Sequence, residues 1–264
     1  MFLKEISFPT KKDQYPYSIE VLDNKRLSLT KPITLFVGSN GSGKSTILEA
    51  IAASINSINI SNQSIMDDDL FSDILTYSKD MKLRFSTQTK RGFFFRASDF
   101  ITYQHGIRMM KLQLQQEIER VKEEYATKSV FARNQALSPF VGSLDQLNKQ
   151  GRELTKLSHG ESFLEFFNSR FSVPGIYILD EPETPLSYEN QYTLLVMIKD
   201  MVKKGAQFII STHSPIISSI DDSVIYDLDS DLESVDYNSL NSVSFIKDFL
   251  NNRERYIHYL NKED

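Results

Sequence analysis

The stretch that decides the fold is Ile33-Thr34-Leu35-Phe36-Val37-Gly38-Ser39-Asn40-Gly41-Ser42-Gly43-Lys44-Ser45-Thr46, a β-rich run that enters a glycine-rich loop and leaves it as the amphipathic helix pattern TILEAIAASINSI. Gly38 to Ser45 satisfies G-x-x-x-x-G-K-[ST] between a predicted strand and a predicted helix. Phosphate oxygens need several backbone N–H groups converging on one point. Glycines let the chain curl tightly enough, and approach closely enough, to supply them. The helix starting near Gly43 adds the positive end of its dipole. On this reading Gly38, Ser39, Asn40, Gly41, Ser42, Gly43 and Thr46 cradle a nucleotide, Lys44 sits on its β and γ phosphates, and the Ser45 hydroxyl ligates Mg²⁺. A chance match would occur in roughly one chain of this length in a hundred.

Such a loop occurs in several reaction classes, so the class has to come from later motifs. Ile176-Tyr177-Ile178-Leu179-Asp180-Glu181-Pro182 is an apolar strand ending in two carboxylates. Asp180 at its end can hold Mg²⁺ through water, and Glu181 can orient or deprotonate an attacking water; the bland alternative is an acidic strand-to-turn boundary. Phe208-Ile209-Ile210-Ser211-Thr212-His213-Ser214-Pro215 is a second buried strand ending in His213, which is either a polar cap or a sensor of the γ-phosphate. Leu157-Ser158-His159-Gly160-Glu161-Ser162 opens a helix. Ser158 with Glu161 is a capping box, and the same helix N-terminus, with the Ser158 hydroxyl and the Gly160 N–H, is an anion site.

In this order the motifs resemble those of ABC-type ATPases, with LSHGE standing where that family has LSGGQ, LDEP as the Walker B strand with its catalytic Glu, and His213 as the switch histidine. Within that superfamily the chain is similar to stand-alone bacterial AAA-family ATPases related to the chromosome-maintenance and recombination branch; GFFFRA, SHGES, LDEPE, THSP and RERY carry this likeness. The resemblance implies an α/β P-loop fold with a mostly parallel core sheet flanked by helices, an antiparallel β element and a short helical insertion. It implies ATP and Mg²⁺, and a homodimer formed head to tail on ATP binding, with Ser158 and Gly160 reaching the nucleotide of the other subunit. Lys44, Ser45, Asp180, Glu181 and His213 would act in their own subunit.

Some positions depart from the family pattern. The usual Asp of the loop after Walker B is Ser187, and no glutamine stands at the expected place after GFFFRA, where Gln88 and Gln104 lie to either side. Arg96 there reads as a solvated strand-end arginine, against an arginine that faces nucleotide or DNA. The family often stacks adenine on an aromatic upstream of the phosphate loop; Tyr17 in YPYS is the candidate, against core packing. About 110 residues separate Thr46 from Ser158, too few for a long coiled coil.

The surrounding sequence bounds the rest. The chain has 264 residues with 40% hydrophobic and 25% charged residues and no cysteine, which excludes disorder and a disulfide scaffold and leaves room for a sizeable core. No apolar run reaches membrane-spanning length and the start lacks a long apolar stretch, so a cytoplasmic protein is expected. FLKEISF, YSIEV and ITLFVG read as strands, the first two in a small antiparallel element. Residues 59 to 73 read as a loop. MKLRFSTQ and GFFFRAS read as strands separated by a turn. Met110, Leu114, Ile118, Val121 and Tyr125 mark one face of a helix, and Pro139 and Gly142 mark an interruption from Ala132 to Gln150. Thereafter helix, strand, helix and strand alternate, as in parallel βαβ units. The end carries a strand at SVIYDL and an amphipathic helix using Ile246, Phe249, Leu250, Ile257 and Leu260. One ATPase domain over 1–264, with an arm inserted at 75–150, is expected.

The net charge of -5 divides unevenly: residues from Asp221 onward carry -7, while residues 79 to 111 carry eight basic residues against Asp80 and Asp99. Net charge therefore leaves a nucleic-acid partner open, beside a protein encoded nearby. The absent Q-loop and LSGGQ argue against a membrane permease as partner, and Glu181 argues against a switch that binds ATP without turnover.

Overall fold

The computed structural model describes residues 1–58, 72–151 and 159–261. In chain order its strands are Leu3–Ser7 (β1), Arg26–Ser28 (β2), Ile33–Val37 (β3), Lys82–Phe85 (β4), Gly92–Arg96 (β5), Ile176–Asp180 (β6), Gln207–Ser211 (β7), Ser223–Asp227 (β8) and Glu233–Val235 (β9). The central sheet runs β5-β6-β7-β3-β8-β9, parallel throughout except for β9, which pairs antiparallel with β8. A smaller antiparallel sheet has the order β2-β1-β4. This is an α/β fold with a mostly parallel sheet flanked by helices.

All five residues of β3, β6 and β7 are buried, as expected of strands covered on both faces. The two-residue period then assigns each side chain to a face. Phe36, Phe94, Ile178 and Ile209 join the apolar side of Lys44–Ser54 (α1), Tyr77 of Ser72–Asp80 (α2), and Leu3, Ile6 and Leu27 of the small sheet. Leu35, Phe93, Phe95, Tyr177, Leu179, Phe208 and Ile210 face the other way, onto His159–Arg170 (α5) and Tyr188–Lys203 (α6). The buried Gln207 side chain ties the two sheets together: its Oε1 accepts from the backbone N–H groups of Phe2 and Leu3, and its Nε2 donates to Leu3 O, all at 2.8 Å.

Several expectations need correction. YSIEV is not a strand: Ile19 N donates to Pro16 O and Leu22 N to Ile19 O, turn bonds that lead into a 3-10 turn at Glu20–Leu22, and β1 pairs instead with β2. MKLRF and GFFFR are strands as expected, and they join different sheets, β4 beside β1 and β5 beside β6. The interruption at 132 to 150 is a helix, Val130–Gly151 (α4), which accommodates Pro139 and packs along Ala97–Glu124 (α3). Within 75–150, α2 packs on α1, β4 belongs to the small sheet and β5 to the central sheet, and a two-helix hairpin begins at Ala97. On α3 the covered stripe is Ile107, Lys111, Leu114, Ile118, Val121 and Tyr125, and Met110 is 56% exposed. After the short helix Pro215–Ser218 (α7), the expected final helix is two, Asn241–Asn251 (α8) and Arg253–Leu260 (α9), parted at Asn252. The loop expected over 59 to 73 lies outside the described residues up to 71, and α2 begins at Ser72. Among the described residues no helix is long and apolar enough to cross a membrane.

Candidate nucleotide site

The strands β6, β7 and β3 are neighbours and parallel, so the loops that follow them open side by side at the carboxyl edge of the sheet, where open α/β sheets bind ligands. From β3 comes Gly38 to Ser45, from β6 come Asp180 and Glu181, and from β7 comes His213.

The glycine loop has the backbone that its composition predicts. Gly38, Gly41 and Gly43 have φ of 145°, 79° and 103°, values that residues with a Cβ rarely adopt. Gly43 is the N-cap of α1 in the left-handed conformation. Lys44 folds back over the loop, where its Nζ donates to Gly38 O at 3.1 Å and Ser39 O at 2.8 Å. Burial holds its pKa below the usual lysine value, against the pull of Glu181 and Asp180. Ser42 Oγ is buried with no protein partner among the described residues, an orphaned donor open to an acceptor from outside the chain. Asp229, from the 3-10 turn Leu228–Ser230 (following β8), accepts from Ser39 N at 2.7 Å and from Ser39 Oγ at 2.9 Å.

Asp180 is buried at the end of β6. Its Oδ1 accepts from Ser45 Oγ at 3.2 Å and, over a short contact, from Ser211 Oγ. Burial raises its pKa while those two hydroxyls lower it. The Ser45–Asp180 contact brings together two residues 135 positions apart, and a hydroxyl beside a carboxylate with room for water and phosphate oxygens is the donor set that suits Mg²⁺. Glu181 carries φ of 47°, uncommon for a side-chain-bearing residue and concentrated at functional sites. That backbone is held by Glu181 N donating to Ser211 O and Ser211 Oγ, both at 3.1 Å. Its Oε1 lies 3.4 Å from His213 Nε2. Burial lowers the His213 pKa, as does Lys44, against Glu181.

A cleft beside these groups is lined by Ser45, Arg96, Gln104, Asp180, Glu181 and Thr184, among others. Gln104, one of the two glutamines flanking the expected position, reaches it from the second turn of α3, whereas Gln88 lies exposed in the turn after β4. Arg96 is not a solvated strand end: it is half-buried, 2.7 Å from Glu49 on α1 and 3.1 Å from Asp99 on α3.

Other expected residues lie elsewhere. Tyr17 is buried, edge-on to Tyr77 at 4.8 Å with its hydroxyl donating to Asp80, so it is a core residue and not an open stacking face. The tyrosine presented at the loop is Tyr15, 50% exposed, whose hydroxyl is 3.0 Å from Thr46 Oγ1. Ser187 caps α6 by accepting from Asn190 N at 3.3 Å. Ser158 lies outside the described residues. Gly160 in the first turn of α5 stands against α6, where an added Cβ would come 2.8 Å from Asn190 Nδ2; it does not line the cleft at Ser45 and Glu181. The sequence gives no role to Glu183, which ends LDEPE and is buried and bonded to the His213 loop, or to Asp229, which no short-range pattern marks.

A family model described as an AAA domain matches residues 16–177. A second AAA-domain model, whose description names the AbiEii toxin of a type IV toxin–antitoxin system, matches residues 162–219. No curated protein matches the chain. Among solved structures, an Smc head domain with an extended coiled coil from Pyrococcus furiosus, bound to the C-terminal domain of ScpA, is 13% identical over 99% of this chain and 100% of that one, with a TM-score of 0.46. A nucleotide-free ATP-binding cassette from an ABC transporter is 15% identical over 86% and 87%, with a TM-score of 0.42. The SMC head domain from Thermotoga maritima is 15% identical over 86% and 94%, also at 0.42.

Proposed function

We propose, from the premise that this chain belongs to the AAA-domain family, that it binds ATP at the Gly38–Ser45 loop and hydrolyses it in a homodimer formed head to tail. One observation carries the reading: Ser45 and Ser211 converge on Asp180, while the next residue, Glu181, is held in a left-handed backbone beside His213.

The residues have separable tasks. The loop amides and Lys44 bind the phosphates, Lys44 exchanging its carbonyl contacts for phosphate oxygens. Ser45 and Asp180 would hold Mg²⁺, which when bound neutralises charge on the β and γ phosphate oxygens. Glu181 orients a water and takes its proton as the water oxygen bonds to the γ-phosphorus and the bond to the ADP oxygen breaks. His213, neutral because burial and Lys44 lower its pKa, donates or accepts one hydrogen bond at the γ-phosphate. Tyr15, not Tyr17, offers the aromatic face for the adenine. Gly160, with Ser158, serves the site of a second copy, since within one chain it stands against α6.

The partner coupled to this cycle is proposed to be nucleic acid. The solvent side of the small sheet carries Arg26, Lys82 and Arg84, well exposed, around the Glu5 carboxylate.

The decisive experiment is Glu181→Gln. Turnover should fall about 10²- to 10⁴-fold, and size-exclusion chromatography with Mg²⁺ and ATP should show a dimer. A variant that stays monomeric under those conditions sinks the composite site, and one that keeps full turnover sinks the role of Glu181.

A further inference from the structure

Glu183 lies two residues beyond the proposed base, yet its surroundings are the opposite of that residue's. It is buried, and its Oε1 accepts three hydrogen bonds from the loop after β7: from Thr212 Oγ1 at 2.8 Å, His213 N at 2.7 Å and Ser214 N at 3.2 Å. Its Oε2 is buried and has no partner among the described residues. The loop has other ties, because Ser214 N also donates to Thr212 Oγ1 at 2.9 Å, and Ser214 Oγ donates to Gln191 Oε1 at 2.5 Å. Of these, only the bond to His213 N acts on the residue that faces Glu181.

A buried carboxylate with one silent oxygen is a costly way to fasten a loop, since desolvation opposes its charge. A short hydroxyl side chain would fasten its own loop at less cost, but it would not reach from one loop to the other. What Glu183 adds is a rigid acceptor that reaches from the β6 loop into the β7 loop and sets the backbone of His213 against the loop that carries Glu181.

We propose that Glu183 is a positioning residue for the reaction. Through its Oε1 it fixes the His213 backbone, and so the spacing between the His213 imidazole and the Glu181 carboxylate, without touching the nucleotide. This rests on the hydrolysis reading above and extends it to a residue outside the known motif roles.

The test is a double-mutant cycle on ATP turnover and on the affinity for a fluorescent ATP analogue, using Glu183→Ala, Glu183→Gln, His213→Ala and the double variants. Glu183→Ala should lower kcat at least tenfold with nucleotide Kd within twofold, and in the His213→Ala background should change kcat less than twofold. Glu183→Gln keeps the accepting oxygen and replaces only the unpartnered one, so it should retain kcat within threefold. If Glu183→Ala does not fold, the Gln variant alone decides. A folded, nucleotide-binding Gln variant with kcat as low as His213→Ala overturns the proposal. So do additive losses in the cycle, or a His213→Ala enzyme with full kcat. Additive losses in an active enzyme overturn this role alone, whereas wild-type protein with no turnover overturns the hydrolysis reading with it.

Discussion

Two regions of this molecule are held by different means. At the carboxyl ends of β3, β6 and β7, single atoms decide the structure: Asp180 Oδ1 takes two hydroxyls, Glu183 Oε1 takes three donors, and Ser39 gives both its N–H and its Oγ to Asp229. Along the α3–α4 hairpin the contact is one stripe wide, and most side chains on either helix face water. The first region is specified by donor and acceptor geometry over a floor of aromatic packing, the second by periodicity. Substitutions should therefore act by different amounts and on different quantities in the two places.

The largest contrast concerns packing. Phe95 is fully buried beneath the site, with the rings of Phe163 and Phe167 at 5.0 and 4.9 Å. Phe95→Ala should cost about 4 kcal/mol of stability. Ile118, covered only by the hairpin stripe, should cost about 2 kcal/mol as Ile118→Ala and leave nucleotide affinity unchanged. Denaturant unfolding followed by circular dichroism, with nucleotide titration of both variants, measures this. Equal losses would mean that the hairpin is part of the core and the contrast is false.

A smaller effect is expected from charge. Asp229 holds the Ser39 amide; on the proposed function a phosphate oxygen would compete for that amide and be repelled by the carboxylate. Asp229→Asn should tighten ATP binding about fivefold, roughly 1 kcal/mol, while Glu124→Gln at the end of α3 should change it by less than twofold. Calorimetric titration distinguishes the two. Weaker binding by Asp229→Asn would show that Asp229 shapes the loop for the nucleotide instead of competing with it.

The same contrast explains what was legible in the sequence. Gly38 to Ser45, Asp180, Glu181 and His213 could be read because each follows an apolar strand within a few residues, and parallel order brings those strand ends together. The contacts of Glu183 were not legible, because its partners at 212 to 214 become neighbours only once β6 and β7 pair. Tyr17 was misplaced for the same reason: Tyr77 and Asp80, which bury it, are sixty residues away. On the hairpin, Pro139 and Gly142 outweighed a clear period. Ala136, Leu137, Phe140, Leu144 and Leu147 recur at helical spacing and are covered, so packing against α3 overrides two poor helix formers. The Met110 error is a matter of pitch. Ile107, Lys111, Leu114, Ile118, Val121 and Tyr125 alternate steps of four and three, as helices packed in pairs require, and Met110 falls off that line.

Titration offers the finest comparison. On the hairpin stripe Lys111 is pushed below the usual lysine pKa by burial alone, a property of packing. At the strand ends His213 is pushed below the usual histidine value by burial and then by the charge of Lys44, with Glu181 acting the other way. The fold thus favours neutral His213, and the stability that this contributes is fully present above the unfolded value of about 6.5 and is lost as pH falls below it through the lower folded value. In the nucleotide-free protein the NMR titration midpoint of His213 should lie below about 6.5. Lys44→Ala should raise it, by an amount kept small because the pair is partly exposed and screened. Added salt should move it the same way in wild type and much less in Lys44→Ala. A midpoint indifferent to Lys44 would reduce His213 to the hairpin's kind of residue, shifted by burial alone and blind to the charges of the nucleotide site.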